Sequence, residues 1–148
     1  MNTVDSVAII GAGNMGSGIA QKSAQEQFNV QMVDREEQWV NRGEKIISDF
    51  LKEAIERRIF RPDQVESIKN RITGVVGTEN VAPDTDLVIE AVFEDFDIKT
   101  AVFRTLDKVC DEKTILASNT SSLSVNELAK ATGRPDRFVG LHFFYHPA

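Results

Sequence analysis

Val7-Ala8-Ile9-Ile10-Gly11-Ala12-Gly13-Asn14-Met15-Gly16 decides the fold class of this chain. The apolar run at its start, mostly β-branched, reads as a buried strand, and Met15-Gly16-Ser17-Gly18-Ile19-Ala20 continues at helical spacing. Gly11 permits a tight turn out of the strand. Gly13 puts no side chain between the backbone and a pyrophosphate, and Gly16 lets the helix lie close on the sheet. The free N–H groups at the start of that helix, reinforced by its dipole, form an anion site. Alone, GxGxxG is a weak signal, because glycine-rich turns are common. Here a second apolar run, Val30-Gln31-Met32-Val33, follows and ends in Asp34. An acidic residue about 20 positions past the glycines is the one that binds the adenosine ribose in a dinucleotide site. Strand, glycines, helix, strand and acid together point to a dinucleotide rather than to a plain βαβ turn.

Beyond Asp34, the apolar positions Trp39, Val40, Ile46, Ile47, Phe50, Leu51, Ala54 and Ile55 predict an amphipathic helix from Glu36 to about Arg58. Trp39 reads as an anchor in the core. Arg61-Pro62 breaks that helix, and a shorter one, Pro62 to Asn70, returns to a third strand at Ile72–Val76. Two helices exceed a minimal crossover, so this excursion is expected to project from the sheet as a hairpin. Strand four is Asp86–Ala91. The helix Phe96–Val109 follows, with Ile98, Val102, Leu106 and Val109 on its inward stripe, and then strand five, Thr114–Ala117. Ser124-Val125-Asn126-Glu127 is a capping box opening a short helix that stops by Gly133, and Arg137–His142 is strand six. The alternation predicts an α/β fold: one domain over residues 1–148, with a doubly wound, mostly parallel sheet of the Rossmann type.

Composition narrows the class further. The 148 residues suffice for one domain with a real core. Seventeen Lys and Arg face 23 Asp and Glu, and the net charge of −6 disfavours nucleic acid or an anionic membrane as partner. A dinucleotide needs only the local positive field at a helix terminus. Cys110 is the single cysteine, which excludes an internal disulfide and a Cys-rich metal site; it reads as a helix-end packing residue. Met1-Asn2-Thr3-Val4-Asp5 has no basic stretch leading into an apolar core, and no run could span a bilayer. A cytoplasmic setting is the expectation.

Ligands of a doubly wound sheet bind beyond the carboxyl ends of its strands. The segments that matter are therefore Gly11 to Gly16, with Asn14 and Met15 inside the turn, Asp34, Ala91 to Glu94, Ser118 to Ser122, and His142. Ser118-Asn119-Thr120-Ser121-Ser122 is a row of donors and acceptors, and it reads equally as a polar loop leading into a capped helix. His142 reads either as a core histidine with satisfied hydrogen bonds or as a base. An ordinary pKa of about 6.5 suits an imidazole beside a cofactor to take a hydroxyl proton. Arg57, Arg58 and Arg61 suit phosphates or simply the end of a helix dipole. Arg35 would attract a 2′-phosphate that Asp34 repels, so NAD is expected rather than NADP.

Gly11 to Ala20, the acidic end of strand two, Ile89-Glu90-Ala91-Val92-Phe93-Glu94, Ala117-Ser118-Asn119-Thr120-Ser121-Ser122-Leu123 and Gly140-Leu141-His142-Phe143-Phe144 occur in order and at characteristic separations. Together they resemble the NAD-binding domain of the L-3-hydroxyacyl-CoA dehydrogenase family over essentially the whole chain. The Ser-Asn-Thr-Ser-Ser and His-Phe-Phe segments are far more specific than the glycine turn. The resemblance implies oxidation of an (S)-3-hydroxyacyl-CoA to the 3-oxoacyl-CoA, or the reverse, with an acyl-CoA substrate and a place in fatty-acid β-oxidation. It makes His142 the catalytic base and sets Ser121 and Asn119 where substrate oxygen and nicotinamide meet. It also adds Glu94 and Lys99 to Gly11, Gly13, Asn14, Met15, Gly16, Asp34, Ala91 and Asn119 as cofactor contacts; without it, Lys99 reads as part of a solvated helix face. The two-helix excursion falls on the acyl-CoA side of the cleft.

In the full enzyme the resemblance further implies a glutamate slightly beyond this segment that orients His142. A C-terminal helical domain would then close the cleft and form a homodimer. This chain alone is expected to bind NAD with little or no turnover. Two departures stand out. The family usually reads His-Phe-Phe-Asn-Pro, whereas this chain has His142-Phe143-Phe144-Tyr145-His146-Pro147, with the asparagine replaced and one residue added. That keeps open a dehydrogenase of a small free hydroxy acid. A non-catalytic NAD-binding sensor or structural module is the other alternative, although such a module has no need of Asn119, Ser121 and His142 together. Gln27 occupies a helix end where the family commonly has glycine, with Asn29 nearby in the turn.

Overall fold

β1 (Ser6–Ile10) is central to the sheet because both of its faces are apolar: Val7, Ala8, Ile9 and Ile10 are each no more than 2% exposed. The structure, a computed structural model, describes residues 3–148, so Met1 and Asn2 of the N-terminal stretch lie outside the described residues. β1 pairs with β2 (Asn29–Asp34) on one side and with β4 (Leu87–Glu90) on the other. β3 (Ile72–Val76) extends the sheet beyond β2, and β5 (Ile115–Ser118) and β6 (Phe138–Gly140) extend it beyond β4. The order is β3-β2-β1-β4-β5-β6 with every pair parallel, which places the topological switch between β1 and β4.

Alternate residues of β1 feed two separate cores. Val7 and Ile9, with Val30 and Met32 of β2, pack against α1 (Asn14–Gln25), α2 (Glu37–Glu56) and α3 (Pro62–Asn70). Ala8 and Ile10 pack with Phe103 and Leu106 of α4 (Phe96–Val109) and Leu128 of α5 (Val125–Ala129). The fold is thus the expected doubly wound α/β sheet, wholly rather than mostly parallel.

Several local expectations are corrected. The two-helix excursion does not project as a whole: Val65 and Ile68 of α3 are buried in the same core as α1 and α2, so the hairpin lies down on the sheet. Trp39 is only half-buried and belongs to neither core. The buried positions of α4 are Lys99, Thr100, Phe103 and Leu106; Val102 and Val109 pack on the same core from its flank, while Ile98 is 45% exposed. The stripe is rotated because a lysine, not an isoleucine, takes the inward position. β6 ends at Gly140, two residues before His142. Only half of the capping box forms: Ser124 Oγ accepts the Glu127 N–H at 3.3 Å, but the Glu127 carboxylate turns to Lys130.

The Cys110 and Gln27 readings hold. Cys110 is buried at the end of α4, where burial pushes its thiol pKa up to about 11. Gln27 sits at φ 75° just past α1, the left-handed position that glycine usually fills. Phe28 N–H closes that turn on the Ser23 carbonyl at 3.1 Å. No helix among the described residues is long and apolar enough to cross a membrane.

Candidate functional site

The glycine turn is built by steric necessity. Gly11 adopts φ 105° and donates its N–H to the Val33 carbonyl at 2.7 Å; a Cβ on it would lie 2.7 Å from the Ala91 oxygen. The Ala91 N–H in turn donates to the Ile10 carbonyl at 2.8 Å, so Ala91 backs the turn with main chain. A Cβ on Gly16 would fall 1.7 Å from the Gly11 oxygen, so α1 meets the strand with no room for a side chain. Gly13 differs: a Cβ there would meet nothing within 4 Å. Gly13 is the N-cap of α1, with no capping side chain and no acid in the first turn. The first-turn N–H groups of Asn14, Met15 and Gly16 have no intrahelical acceptor, as at any helix start. Open space above unpaired donors is what a pyrophosphate requires.

At the neighbouring strand end, Asp34 Oδ2 accepts the Ala12 N–H at 2.8 Å and Oδ1 accepts the Arg35 N–H at 2.7 Å. The Arg35 side chain turns away, toward Glu36 at 3.4 Å. A carboxylate keeps further lone pairs after two such bonds, so Asp34 can still receive ribose hydroxyls.

Beneath the ends of β4 and β5 lies a buried ionic network. Glu90 is 0% exposed: Oε1 accepts the Val92 N–H at 2.8 Å and the Lys99 ammonium at 2.7 Å, and Oε2 accepts the Ser118 hydroxyl at 2.7 Å. The Lys99 ammonium, 1% exposed, also reaches Glu94 Oε2 at 3.0 Å. Glu94 Oε1 accepts from the Thr120 hydroxyl, the Ser121 N–H at 3.1 Å and the Ser122 N–H at 3.2 Å. Burial pushes the Glu94 pKa upward, but the hydrogen bonds from Thr120, Lys99 and Ser122 outweigh it and hold it at about 2. Lys99, assigned to the cofactor by resemblance, is enclosed in protein, with its charge divided between two carboxylates. Its influence at the surface of the site passes through Glu94.

Sequence reasoning missed Glu90, Ser118 and Thr120 as parts of this network. The signal was one carboxylate inside the apolar run Leu87-Val88-Ile89-Glu90-Ala91, which a buried strand carries only with a partner.

β5 carries the last pieces. Ser121 and Ser122 hang from its end through Glu94, and the Ser121 hydroxyl has no partner among the described residues. The Leu141 N–H donates to the Ser118 carbonyl at 2.9 Å, and the Phe143 N–H donates to Asn119 Oδ1 at 2.7 Å. Between these two anchors His142 is exposed, its ring 5.0 Å from that of Phe144. Further on, the His146 ring stacks on Phe50 of α2 at 5.3 Å, and Pro147 lies over Gly18 of α1, where a Cβ would come within 2.6 Å of it.

Glycine turn, Asp34, the Ser118–Ser122 loop and the His142 segment thus all lie at the carboxyl edge of one sheet. Arg57, Arg58 and Arg61 do not. They follow the far end of α2, whose 20 residues span ~30 Å, and Arg57 and Arg61 pair with Glu53 and Asp63. Among the described residues no group of three or more His, Cys, Asp or Glu could hold a metal ion.

Comparison with known proteins agrees with this geometry. Residues 6–148 match the family described as "3-hydroxyacyl-CoA dehydrogenase, NAD binding domain". A probable 3-hydroxybutyryl-CoA dehydrogenase of Bacillus subtilis (strain 168) is 41% identical over 140 residues, 95% of this chain and 48% of the relative. The mitochondrial hydroxyacyl-coenzyme A dehydrogenase of Homo sapiens is 39% identical over 146 residues, 95% of this chain and 46% of the relative. Among solved structures, an (S)-3-hydroxybutyryl-CoA dehydrogenase from Ralstonia eutropha superposes with a TM-score of 0.92 at 39% identity, covering 96% of this chain and 50% of that one. The chain spans about half the length of the curated relatives it matches. It belongs to the family of NAD-binding domains of 3-hydroxyacyl-CoA dehydrogenases, and its cofactor is NAD.

Proposed function

We propose that the protein carrying this domain is an NAD-dependent 3-hydroxyacyl-CoA dehydrogenase that interconverts an (S)-3-hydroxyacyl-CoA and its 3-oxoacyl-CoA. The observation that carries this reading is the suspension of Ser121 and His142 from the end of one strand, β5, on the edge where Gly13 leaves its space open. NAD, when bound, supplies the hydride acceptor. Breaking the C3–H bond turns a carbinol into a carbonyl, so the hydroxyl proton must leave with it. A ring nitrogen of His142 takes that proton, a role worth about 10²–10⁴ in rate. The Ser121 hydroxyl donates to the same oxygen and fixes its direction, while Glu94 fixes Ser121 through its N–H.

The remaining parts of the proposal come from the family. A glutamate beyond residue 148 steadies the His142 imidazolium, and a helical domain closes the cleft and pairs two subunits. The acyl-CoA lies on the side of the α2–α3 hairpin, and the enzyme serves fatty-acid β-oxidation; the cytoplasmic setting is our own proposal. The test follows NADH oxidation with acetoacetyl-CoA in the complete protein. His142→Gln is expected to lower kcat by about a hundredfold or more while NADH affinity stays nearly unchanged. Near-normal turnover would remove His142 from the chemistry and direct attention to His146.

A further inference from the structure

We propose that Asn119 is a positioning residue for His142: its side-chain oxygen replaces a main-chain carbonyl and carries the β5–β6 pairing one rung past the end of both strands. The register pairs Ser118 with Gly140, and the last main-chain rung is the Leu141 N–H on the Ser118 carbonyl at 2.9 Å. In a parallel pair the rungs come from alternate residues, so the next donor is the Phe143 N–H and its regular acceptor would be the Thr120 carbonyl. By Thr120 the chain has left the strand and is drawn toward α4, where the Thr120 hydroxyl is taken by Glu94. The Phe143 N–H instead donates to Asn119 Oδ1 at 2.7 Å, and the Asn119 N–H is itself fixed on the Glu90 carbonyl at 2.8 Å. The support therefore runs from β4 through the Asn119 main chain and side chain to Phe143.

His142 lies between the two residues so held. Its ring is exposed and, among the described residues, meets only Phe144 in an aromatic contact, so the backbone on either side sets the point from which the imidazole reaches. Loss of the Phe143 anchor frees one of the two sides. A displacement of about 1 Å in a reacting group costs up to ~100-fold in rate.

This inference rests on the reading of His142 as the base, and the test separates the two. Asn119→Ala removes the acceptor. Asn119→Asp keeps an acceptor on the same stem, while it trades the N–H₂ donors for a second oxygen and adds a negative charge. In the 148-residue chain, amide exchange at Phe143 is expected to quicken at least about tenfold in Asn119→Ala and to stay protected in Asn119→Asp. Unchanged protection in Asn119→Ala overturns the proposal. In the complete protein, kcat with acetoacetyl-CoA is expected to fall about ten- to a hundredfold in Asn119→Ala, with KM little changed, and to recover in Asn119→Asp. Equal losses in both variants would show that an acceptor at this position is not enough, and would overturn the proposal while leaving His142 as base. If His142→Gln turns over normally, it is the reading of the base that fails.

Discussion

Asp34 Oδ2 accepts the Ala12 N–H at 2.8 Å, so the residue that ends β2 also holds the glycine turn that leaves β1. We propose that recognition of the ribose and the shape of the phosphate site therefore depend on one side chain. The 22-residue separation between the partners is the separation across the βαβ unit.

From that relationship we predict tighter binding of NADH than of NADPH, because a 2′-phosphate would be brought against the Asp34 carboxylate. Asp34→Asn keeps an acceptor for Ala12 and loses the charge, so it should narrow the difference while the domain stays folded. Calorimetric titration of both cofactors measures it. Equal affinities in the unaltered protein would mean that Arg35 dominates.

Lys99→Met should be strongly destabilising. It leaves the Glu90 carboxylate, which is 0% exposed, with the Val92 N–H and Ser118 hydroxyl but no counter-charge. Breaking one side of a buried ion pair costs about 3–5 kcal/mol. Urea unfolding gives the number, and adding Glu90→Gln to Lys99→Met should recover part of it. A loss below ~1 kcal/mol would contradict the enclosure of this pair.

Gln27→Gly should stabilise the domain. At φ 75° a side chain is strained, and glycine is not. The main-chain oxygen of residue 27 keeps its bond from Arg71 at 2.8 Å, and what is lost is the side-chain bond from Arg71 at 3.0 Å and the long one that Gln27 Nε2 donates to the Gln25 carbonyl at 3.4 Å. The net gain should be about 0.5–1 kcal/mol, or a few degrees in Tm for a domain of this size. A fall in Tm would show that the Gln27–Arg71 side-chain bond outweighs the backbone strain.

Glu94 gives the domain an acid-sensitive element. Burial raises its pKa, yet the Thr120, Lys99 and Ser122 donors bring it to about 2, below the ~4.3 of an unfolded glutamate. A depressed folded pKa contributes stability that is present above the unfolded value and is lost as pH falls through the folded one. The stability gap between the unaltered protein and Glu94→Gln should be flat above about pH 5 and shrink between about pH 4 and 2. Denaturation curves at a series of pH values check this; a gap constant down to about pH 2 would refute it.

What could be read before the fold was known follows from how local each feature is. The glycine turn, the strand that precedes it and Asp34 rely on nearest-neighbour backbone geometry, and they appear as read. Lys99 did not. Periodicity assigns charged residues outward, and only the distant Glu90 and Glu94 make an inward ammonium favourable, rotating the stripe of α4 with it. β6 was drawn too long because Leu141, His142 and Phe143 continue an apolar run, whereas its pairing is limited by where β5 turns away. Asn119 was singled out for its polarity, but its bond to Phe143 joins residues 24 apart and leaves no mark in either segment. Glu90 is no carboxylate partner for His142: it is spent on Lys99, Ser118 and Val92 beneath the site.

The contrast between Gly13 and Gly16 has a practical use. A methyl group at Gly16 collides with the chain itself, whereas at Gly13, with φ −74° and nothing within 4 Å, it meets only the volume left for a guest. Gly16→Ala is expected to unfold the domain, while Gly13→Ala is expected to stay folded and lose its visitor, which circular dichroism and calorimetric titration with NADH would check. Gly13→Ala is thus the natural blank for any experiment in which apo and ligand-blocked states must share one architecture.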